Sequence, residues 1–249
     1  MIILEALLAG AFIGSVLGFV GAGGAMVSVP ILLYIFHFTN EQATIAALVI
    51  VGLAALSGVI PKFTTKEVLV REAVSIWGIG LVTTLSMTAL ASHINVKVLH
   101  TGFAIVLVVA GASMLRGPLT ADPEHRMSLP VLILVSLIIG SLTGLFGIGG
   151  GFLAIPVLVL FYNTPQNKAA GTSLLIITMN CTTSFLERYR NWHVVDWKTP
   201  IVIALVAIVI SRLASQRSGK VNAKLLKSSF AYLLFSLSAF TLLKTFVLA

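Results

Sequence analysis

The residues Ile13–Leu32, IGSVLGFVGAGGAMVSVPIL, recur 126 positions later as Ile139–Leu158, IGSLTGLFGIGGGFLAIPVL. The two stretches share nine of twenty residues, including five glycines and one proline. At the same offset, Ala43 pairs with Ala169 and Leu48 with Leu174. The chain therefore consists of two copies of one unit.

A polar segment with two prolines, RGPLTADPEHRMS at residues 116–128, separates the two copies. Proline-containing polar stretches between apolar segments are typical of linkers. We expect residues 1–115 to form a first membrane repeat and residues 129–249 a second, with 116–128 as the linker.

The composition places the chain in a membrane. Of its 249 residues 58% are apolar and 10% charged, against roughly 45–50% and about 25% in soluble domains. At about 20 residues per span, this length allows about ten crossings and no soluble domain, which excludes a nucleotide-driven pump made of this chain alone. The net charge of +8 is typical of the Lys and Arg that orient membrane helices, so we expect the lipid bilayer, and no nucleic acid, as a partner.

Two charge-free stretches, 6–40 and 127–167, are too long for single spans. A helix of 41 residues would cover about 60 Å, against a hydrocarbon core of about 30 Å. Each stretch has a glycine cluster near its middle, where backbone freedom is greatest. Breaking both there predicts an all-α, polytopic membrane helical bundle of two internal repeats, with eight to ten helical segments.

The distribution of basic residues indicates how the two copies are related. With five crossings per copy, eleven of the sixteen Lys and Arg residues lie on one side, whereas four crossings give nine against seven. Lys and Arg collect on the cytoplasmic side. We therefore favour five crossings in each copy, an inverted pair of repeats, and an N-terminus outside.

The glycine clusters are the candidate binding elements. Unwound backbone inside a membrane is tolerated where it lines a cavity or contacts protein, and the N-terminus of the helix that follows attracts anions. Two such ends related by a repeat would face one site near the midplane. The predicted substrate-binding glycines are Gly21, Gly23, Gly24, Gly147, Gly149, Gly150 and Gly151. For Gly14, Gly18, Gly140 and Gly144, whose Gly-xxx-Gly spacing suits close helix packing, packing is the favoured interpretation.

A second feature distinguishes the copies. The segment 169–186 is rich in hydroxyl and amide side chains, whereas the matching positions of the first copy are mostly alanine. Thr172, Ser173 and Asn180 fall on one side of a helical wheel and complete the predicted substrate site. The alternative is that these hydroxyls only bond to carbonyls of their own helix.

The pattern contains no constellation of catalytic residues, so we expect a protein that is not an enzyme. No carboxylate except Glu5 lies within a predicted span, and no His or Cys spacing indicates a metal site or a cofactor. His100 is interpreted as an interfacial structural residue. Arg188, in an aromatic loop, is a candidate for attracting an anion to the pore mouth.

These residues resemble the sulfite exporter TauE/SafE family of membrane permeases. The resemblance rests on the duplicated pattern GxxGxGG(G)-x5-P-x-L at Gly18–Leu32 and Gly144–Leu158. The segments Ala169–Ser173, Val194–Trp197 and Arg212–Ala214 strengthen it. The first copy departs from the pattern at Ala25, and Ala207–Ser211 lacks the glycine expected before the Arg-Leu-Ala segment.

The resemblance implies secondary transport of a small sulfur-containing anion, such as sulfite, sulfoacetate or another organosulfonate, across a prokaryotic cytoplasmic (inner) membrane. Protons are a candidate coupling ion, and alternating access would rock one repeat against the other. The alternatives are a channel, or a transporter for another oxyanion or a metal cation. The identity of the anion, the direction of transport and the oligomeric state stay open.

Overall fold

The computed structural model describes residues 2–91, 94–116, 129–146, 155, 158 and 166–246. These residues form helices and connecting turns, and no strand occurs among them. The helices of the first copy are α1 (Ile2–Val20), α2 (Gly24–Tyr34), α3 (Asn40–Thr64), α4 (Val70–Ala91) and α5 (Val96–Arg116). Those of the second are α6 (Leu129–Phe146), α7 (Gln166–Glu187), a 3-10 helix (Tyr189–Val194), α8 (Lys198–Ser218) and α9 (Ala223–Phe246).

The prediction of an all-α membrane bundle with eight to ten helical segments is confirmed. Seven helices of the described part of the chain are long and apolar enough to cross a membrane, namely α1, α3, α4, α5, α7, α8 and α9. A shorter apolar segment lies within α6 at Leu132–Leu145. Large apolar side chains such as Leu134 and Leu205 point outward, 59% and 60% exposed, as lipid-facing residues do. The chain is a multi-pass membrane protein.

Helices of one copy pack mainly against helices of the other. α1 packs along α8, and the matching helix α6 packs along α4. α3 contacts its own counterpart α7, and α5 contacts its counterpart α9. Exchanging the two copies turns the contact between α1 and α8 into the contact between α6 and α4, and it leaves the pairs α3–α7 and α5–α9 unchanged. The two halves of the sequence therefore interlock symmetrically.

Small residues form both of the interlocking seams. A Cβ added at Gly14 would lie 2.7 Å from the carbonyl oxygen of Ala207, and one at Gly18 would overlap the carbonyl of Ser211. In the other seam, Gly140 meets the backbone of Gly80, and Gly144 meets the carbonyl of Thr84. The packing role predicted for these four glycines is confirmed.

The same contacts give the helix directions. Gly14 and Gly18 of α1 follow Ala207 and Ser211 of α8 in increasing order, so α1 and α8 are parallel. α4 and α6 are parallel by the same criterion. α3 and α7 are antiparallel, since Gly52 lies against Cys181 whereas Gly58, further along α3, lies against Leu174.

The chain returns between α1 and α3 through residues 21–39. α3 runs parallel to α8, because Ser57 donates to the carbonyl of Ile208 and Lys62 reaches Ser218; α1 and α3 are therefore parallel to each other. α2 has 11 residues and covers about 16 Å, so the return is made by a half-length helix together with the segment 35–39 that follows it.

α8 is longer than its charge-free stretch indicated. It continues through Arg212 to Ser218, 21 residues in all, which span about 30 Å. Arg212 is exposed on the last turns, where a long basic side chain reaches polar surroundings. The proposed linker lies between the end of α5 and the start of α6; its residues 117–128 are outside the described part, so the repeat boundary stays a prediction.

Candidate functional site

The first glycine cluster interrupts the helical backbone. α1 ends at Val20, α2 begins at Gly24, and Gly21 and Gly23 between them have φ values of 80° and 84°. Residues with a side chain rarely adopt this left-handed conformation. The first N–H groups of a helix have no partner within the helix, and no side chain caps the N-terminus of α2.

The cluster is buried among helices of the second copy. A Cβ added at Gly21 would lie 2.6 Å from the Cα of Ala170, at the start of α7, and one at Gly23 would lie 2.9 Å from the ring of Phe230 in α9. Gly24 packs on Leu17 of α1. The interruption follows 19 helical residues, about 28 Å of helix, and it lies at the end of the bundle where α3 ends. A position near the midplane stays a prediction.

The second cluster belongs to the part of the chain outside the described residues. Gly147, Gly149, Gly150 and Gly151 fall in this part, so their predicted role stays a prediction. The nearest described residues after them, Ile155 and Leu158, are fully buried in a core cluster with Met26 of α2 and Phe230 of α9.

The three polar residues predicted on α7 are all buried. Thr172 and Ser173 have no exposed surface, and Asn180 is 7% exposed. The Thr172 hydroxyl donates to the carbonyl of Lys168 at 2.7 Å and accepts the N–H of Leu69 at 3.0 Å. Thr172 therefore holds the backbone at the start of α4, and its substrate contact stays a prediction.

Other hydroxyls of α7 bond back to their own helix. Thr178, Thr182 and Thr183 each donate to the carbonyl four residues earlier, as the alternative interpretation proposed. Thr183 also accepts the indole N–H of Trp77 at 3.2 Å. Much of the polarity of α7 is thus used within α7 and between α7 and α4.

Sequence reasoning missed a buried ion pair at the end of α3. The Lys62 ammonium donates to Glu67 Oε2 at 2.6 Å and to Ser218 Oγ at 2.7 Å. The side chain of Lys62 is 3% exposed and that of Glu67 is 23% exposed. In the sequence, Lys62 counts only as one of the sixteen Lys and Arg residues whose distribution indicates how the copies are oriented. The available signal was a lysine and a glutamate five residues apart, on either side of one short turn.

The first turn of α7 supports this pair. Gly171 lies directly against the carbonyl of Glu67, and a Cβ there would be 3.2 Å from Lys62 Cβ. Glu67 N–H also donates to the carbonyl of Lys62 at 2.9 Å. The turn between α3 and α4 is therefore held by Gly171 and Thr172 together, next to Ala170, which contacts the first glycine cluster.

A cavity of about 330 Å³ opens beside the ion pair. Lys62, Glu67 and Arg212 are its charged lining residues, and Ser215 and Gln216 of α8 add polar groups. Of the predicted substrate-binding residues that the structure describes, none lines this cavity. Ala170, which contacts Gly21, and Gly171, which contacts Glu67, are adjacent in α7 and connect the first glycine cluster to this cavity.

The two remaining candidates from the sequence are His100 and Arg188. The His100 Nδ1 lies 3.2 Å from Thr245 Oγ1, so His100 links α5 to α9. The Nε of Arg188 is buried, and the described part of the chain provides no hydrogen-bond partner for it. In the described part of the chain, no group of three or more His, Cys, Asp or Glu side chains is arranged to hold a metal ion.

The interlocked apolar helices define a polytopic membrane protein, and a membrane helix interrupted by glycines is typical of secondary transporters. The family model described as "Sulfite exporter TauE/SafE" matches residues 6–241. The chain belongs to this family of membrane transporters, which confirms the resemblance read from the glycine motifs.

Similar proteins from bacteria and an archaeon are also named as membrane transporters. The chain is 31% identical over 195 residues to a "Probable membrane transporter protein" of Xylella fastidiosa (strain 9a5c), covering 76% of this chain and 74% of that protein. It is 38% identical over 93 residues to "Probable membrane transporter protein MJ0441" of Methanocaldococcus jannaschii, covering 35% and 34%. It is 23% identical over 172 residues to "Probable membrane transporter protein YdhB" of Bacillus subtilis, covering 66% and 70%. No solved structure matches.

Proposed function

We propose that the protein is a secondary transporter of small sulfur-containing anions, such as sulfite, sulfoacetate or another organosulfonate, in the cytoplasmic (inner) membrane. The observation that carries this proposal is the family match over residues 6–241, whose description names sulfite. The protein is not an enzyme in this proposal, because membership of a transporter family assigns it movement of a solute instead of its conversion.

The transport site in this proposal is formed by the two glycine clusters with Thr172, Ser173 and Asn180. The uncapped N-terminus of α2 beside Gly23 supports it, since free N–H groups and the positive end of a helix attract an anion. Thr172, Ser173 and Asn180 are buried inside the bundle and supply further polar groups away from lipid.

Alternating access in this proposal uses an inverted pair of repeats. The helix directions support it: α3 and α7 are matched helices and run antiparallel, and so are α5 and α9, in which Gly111 lies against Phe235 while His100 reaches Thr245. The chain also crosses back between α1 and α3, which favours an odd number of passages per copy. Motion of one repeat against the other would then expose the site to each side in turn.

The test is flux of sulfite and of a small organosulfonate into proteoliposomes, with and without an imposed pH gradient. We expect saturable flux that responds to the gradient and is lost in Gly23→Val, because valine strains a φ of 84° and meets Phe230. Gly149→Val tests the second cluster in the same way. Gly78→Val is the matched control, since no neighbouring atom of the described residues lies within 4 Å of a Cβ at Gly78.

Three outcomes would contradict parts of the proposal. Wild-type flux in both cluster variants would reject the glycine site. Non-saturating current that scales with voltage would indicate a channel. If a folded protein moves neither anion, the cargo class is wrong, and other oxyanions and metal cations become the candidates.

A further inference from the structure

The cavity beside α3 has the charge and the donors that suit an anion. Its described lining contains two cations, Lys62 and Arg212, and one carboxylate, Glu67. The described lining therefore has an excess of one positive charge. In the described part of the chain, Arg212 makes no ion pair with a carboxylate. The volume of about 330 Å³ is at the lower end of the range for small-molecule pockets.

The two partners of the ion pair differ in how firmly they are held. Lys62 is on α3, is almost fully buried, and donates to Ser218 of α8 as well as to Glu67. Glu67 is in the turn between α3 and α4, and its side chain reaches the cavity with 23% exposure. An ammonium group has three N–H donors, and Glu67 and Ser218 account for two of them. The geometry therefore favours a fixed cation with an exchangeable carboxylate.

We propose that this cavity binds the anionic cargo of the transporter and that Glu67 competes with the cargo for Lys62. This inference rests on the proposed function, anion transport, and adds a second binding position to it. When an anion enters, it takes the place of the Glu67 carboxylate on the Lys62 ammonium, with Arg212 as its second cation. When it leaves, Glu67 returns and closes the pair.

The exchange reaches the rest of the bundle through the turn that carries Glu67. That turn leads directly into α4, whose start is held by Thr172 of α7. α4 packs along α6, the first helix of the other copy. Displacement of Glu67 is thus passed to one of the contacts between the two repeats, which alternating access must change.

The experiment compares three variants in proteoliposomes, with sulfite as the probe. In Lys62→Gln the cation is lost, and we expect the KM for sulfite to rise about tenfold or more, equivalent to about 1.4 kcal/mol of binding. In Glu67→Gln the competitor is neutralised at nearly the same size, so the KM falls. Lys66→Gln is the matched control, an exposed lysine of the same turn outside the cavity lining, and its KM stays at the wild-type value.

The opposite signs separate cargo binding from a purely structural ion pair. If the pair only stabilises the fold, both variants lower the amount of folded protein and neither lowers the KM. A KM for sulfite that is unchanged in both variants, or raised in both, overturns the inference. The proposed function still stands in that case, provided that the wild-type protein transports sulfite. If the wild-type protein moves no sulfur-containing anion, the proposed function fails and this inference fails with it.

Folding is monitored by size-exclusion chromatography of each variant in detergent. If Lys62→Gln does not fold, Glu67→Gln decides alone, because a lowered KM supports competition and an unchanged or raised KM rejects it.

Discussion

α3 and α7 are matched helices of the two copies and pack antiparallel against each other, yet they use polarity differently. α3 is lined mostly by buried alanine and branched aliphatic residues and ends in the buried Lys62. α7 is rich in hydroxyls, several of which bond to its own carbonyls or hold α4. α7 is thus the more polar of the two helices, yet Lys62, which lines the cavity, belongs to α3.

The comparison shows that polarity in a membrane helix has two uses. On α7, Thr172 and Thr183 secure a neighbouring helix from inside the bundle, where every backbone donor needs a partner. On α3, one lysine at the last turns remains available to a carboxylate and to Ser218. Three variants test whether α7 secures the neighbouring segments in this way. They are given from the largest expected effect to the smallest.

The largest effect is expected for Gly171→Val on α7. The added side chain would overlap the carbonyl of Glu67 and press on Lys62, and backbone cannot move aside without displacing the whole turn. Overpacking of this kind costs about 3 kcal/mol, so the midpoint of thermal unfolding in detergent micelles, followed by tryptophan fluorescence, should fall markedly. Gly78→Val, which meets open space, should leave the midpoint near wild type; equal midpoints for the two variants would contradict the tight contact.

An intermediate effect is expected for Thr172→Val. Valine keeps the shape but removes the acceptor for the Leu69 N–H, and leaving that donor unpaired costs about 1–3 kcal/mol. Thr178→Val is the control, since its hydroxyl donates to the carbonyl of Leu174 within the same helix. Both midpoints and sulfite flux should be measured. A Thr172→Val protein with wild-type stability but no flux would assign Thr172 to the cargo instead of the fold.

The smallest effect is expected for Trp77→Phe, which removes the indole donor to Thr183. One neutral hydrogen bond contributes about 1 kcal/mol. A double-mutant cycle with Thr183→Val isolates it, because the two losses should be less than additive if the bond exists. Additive losses would show that α4 and α7 are joined at this level by packing alone.

The membrane class, the repeat and the helical interruption at the first cluster were predictable because they depend on local pattern. A charge-free stretch of 35 residues at 6–40 cannot lie in one span, and Gly21 and Gly23 are where the backbone leaves the helix. The close packing of Gly14 and Gly18 followed from their four-residue spacing, which places both on one face. The family assignment followed from the duplicated glycine motif.

The partners of these elements were not predictable in the same way. Nothing in the local pattern near Thr172 indicates that its hydroxyl would be used by Leu69, 103 residues earlier. The return of the chain from α1 to α3 in a half-length helix likewise depends on which helices pack in parallel. Hydrogen bonds and packing between distant segments depend on the assembled bundle, and a single sequence contains no record of them.

By itself, the sequence determined that this chain is a bundle of apolar helices made of two copies, because hydrocarbon excludes charge and glycine permits the breaks. Only the tertiary structure decided that Lys62 is buried against Glu67 and Ser218, beside a cavity that it shares with Arg212. The physical reason is that a charge near the end of a span is stable either at the polar surface or inside with partners. Which of the two applies is set by neighbours that lie, as Ser218 does, 156 residues away in the chain.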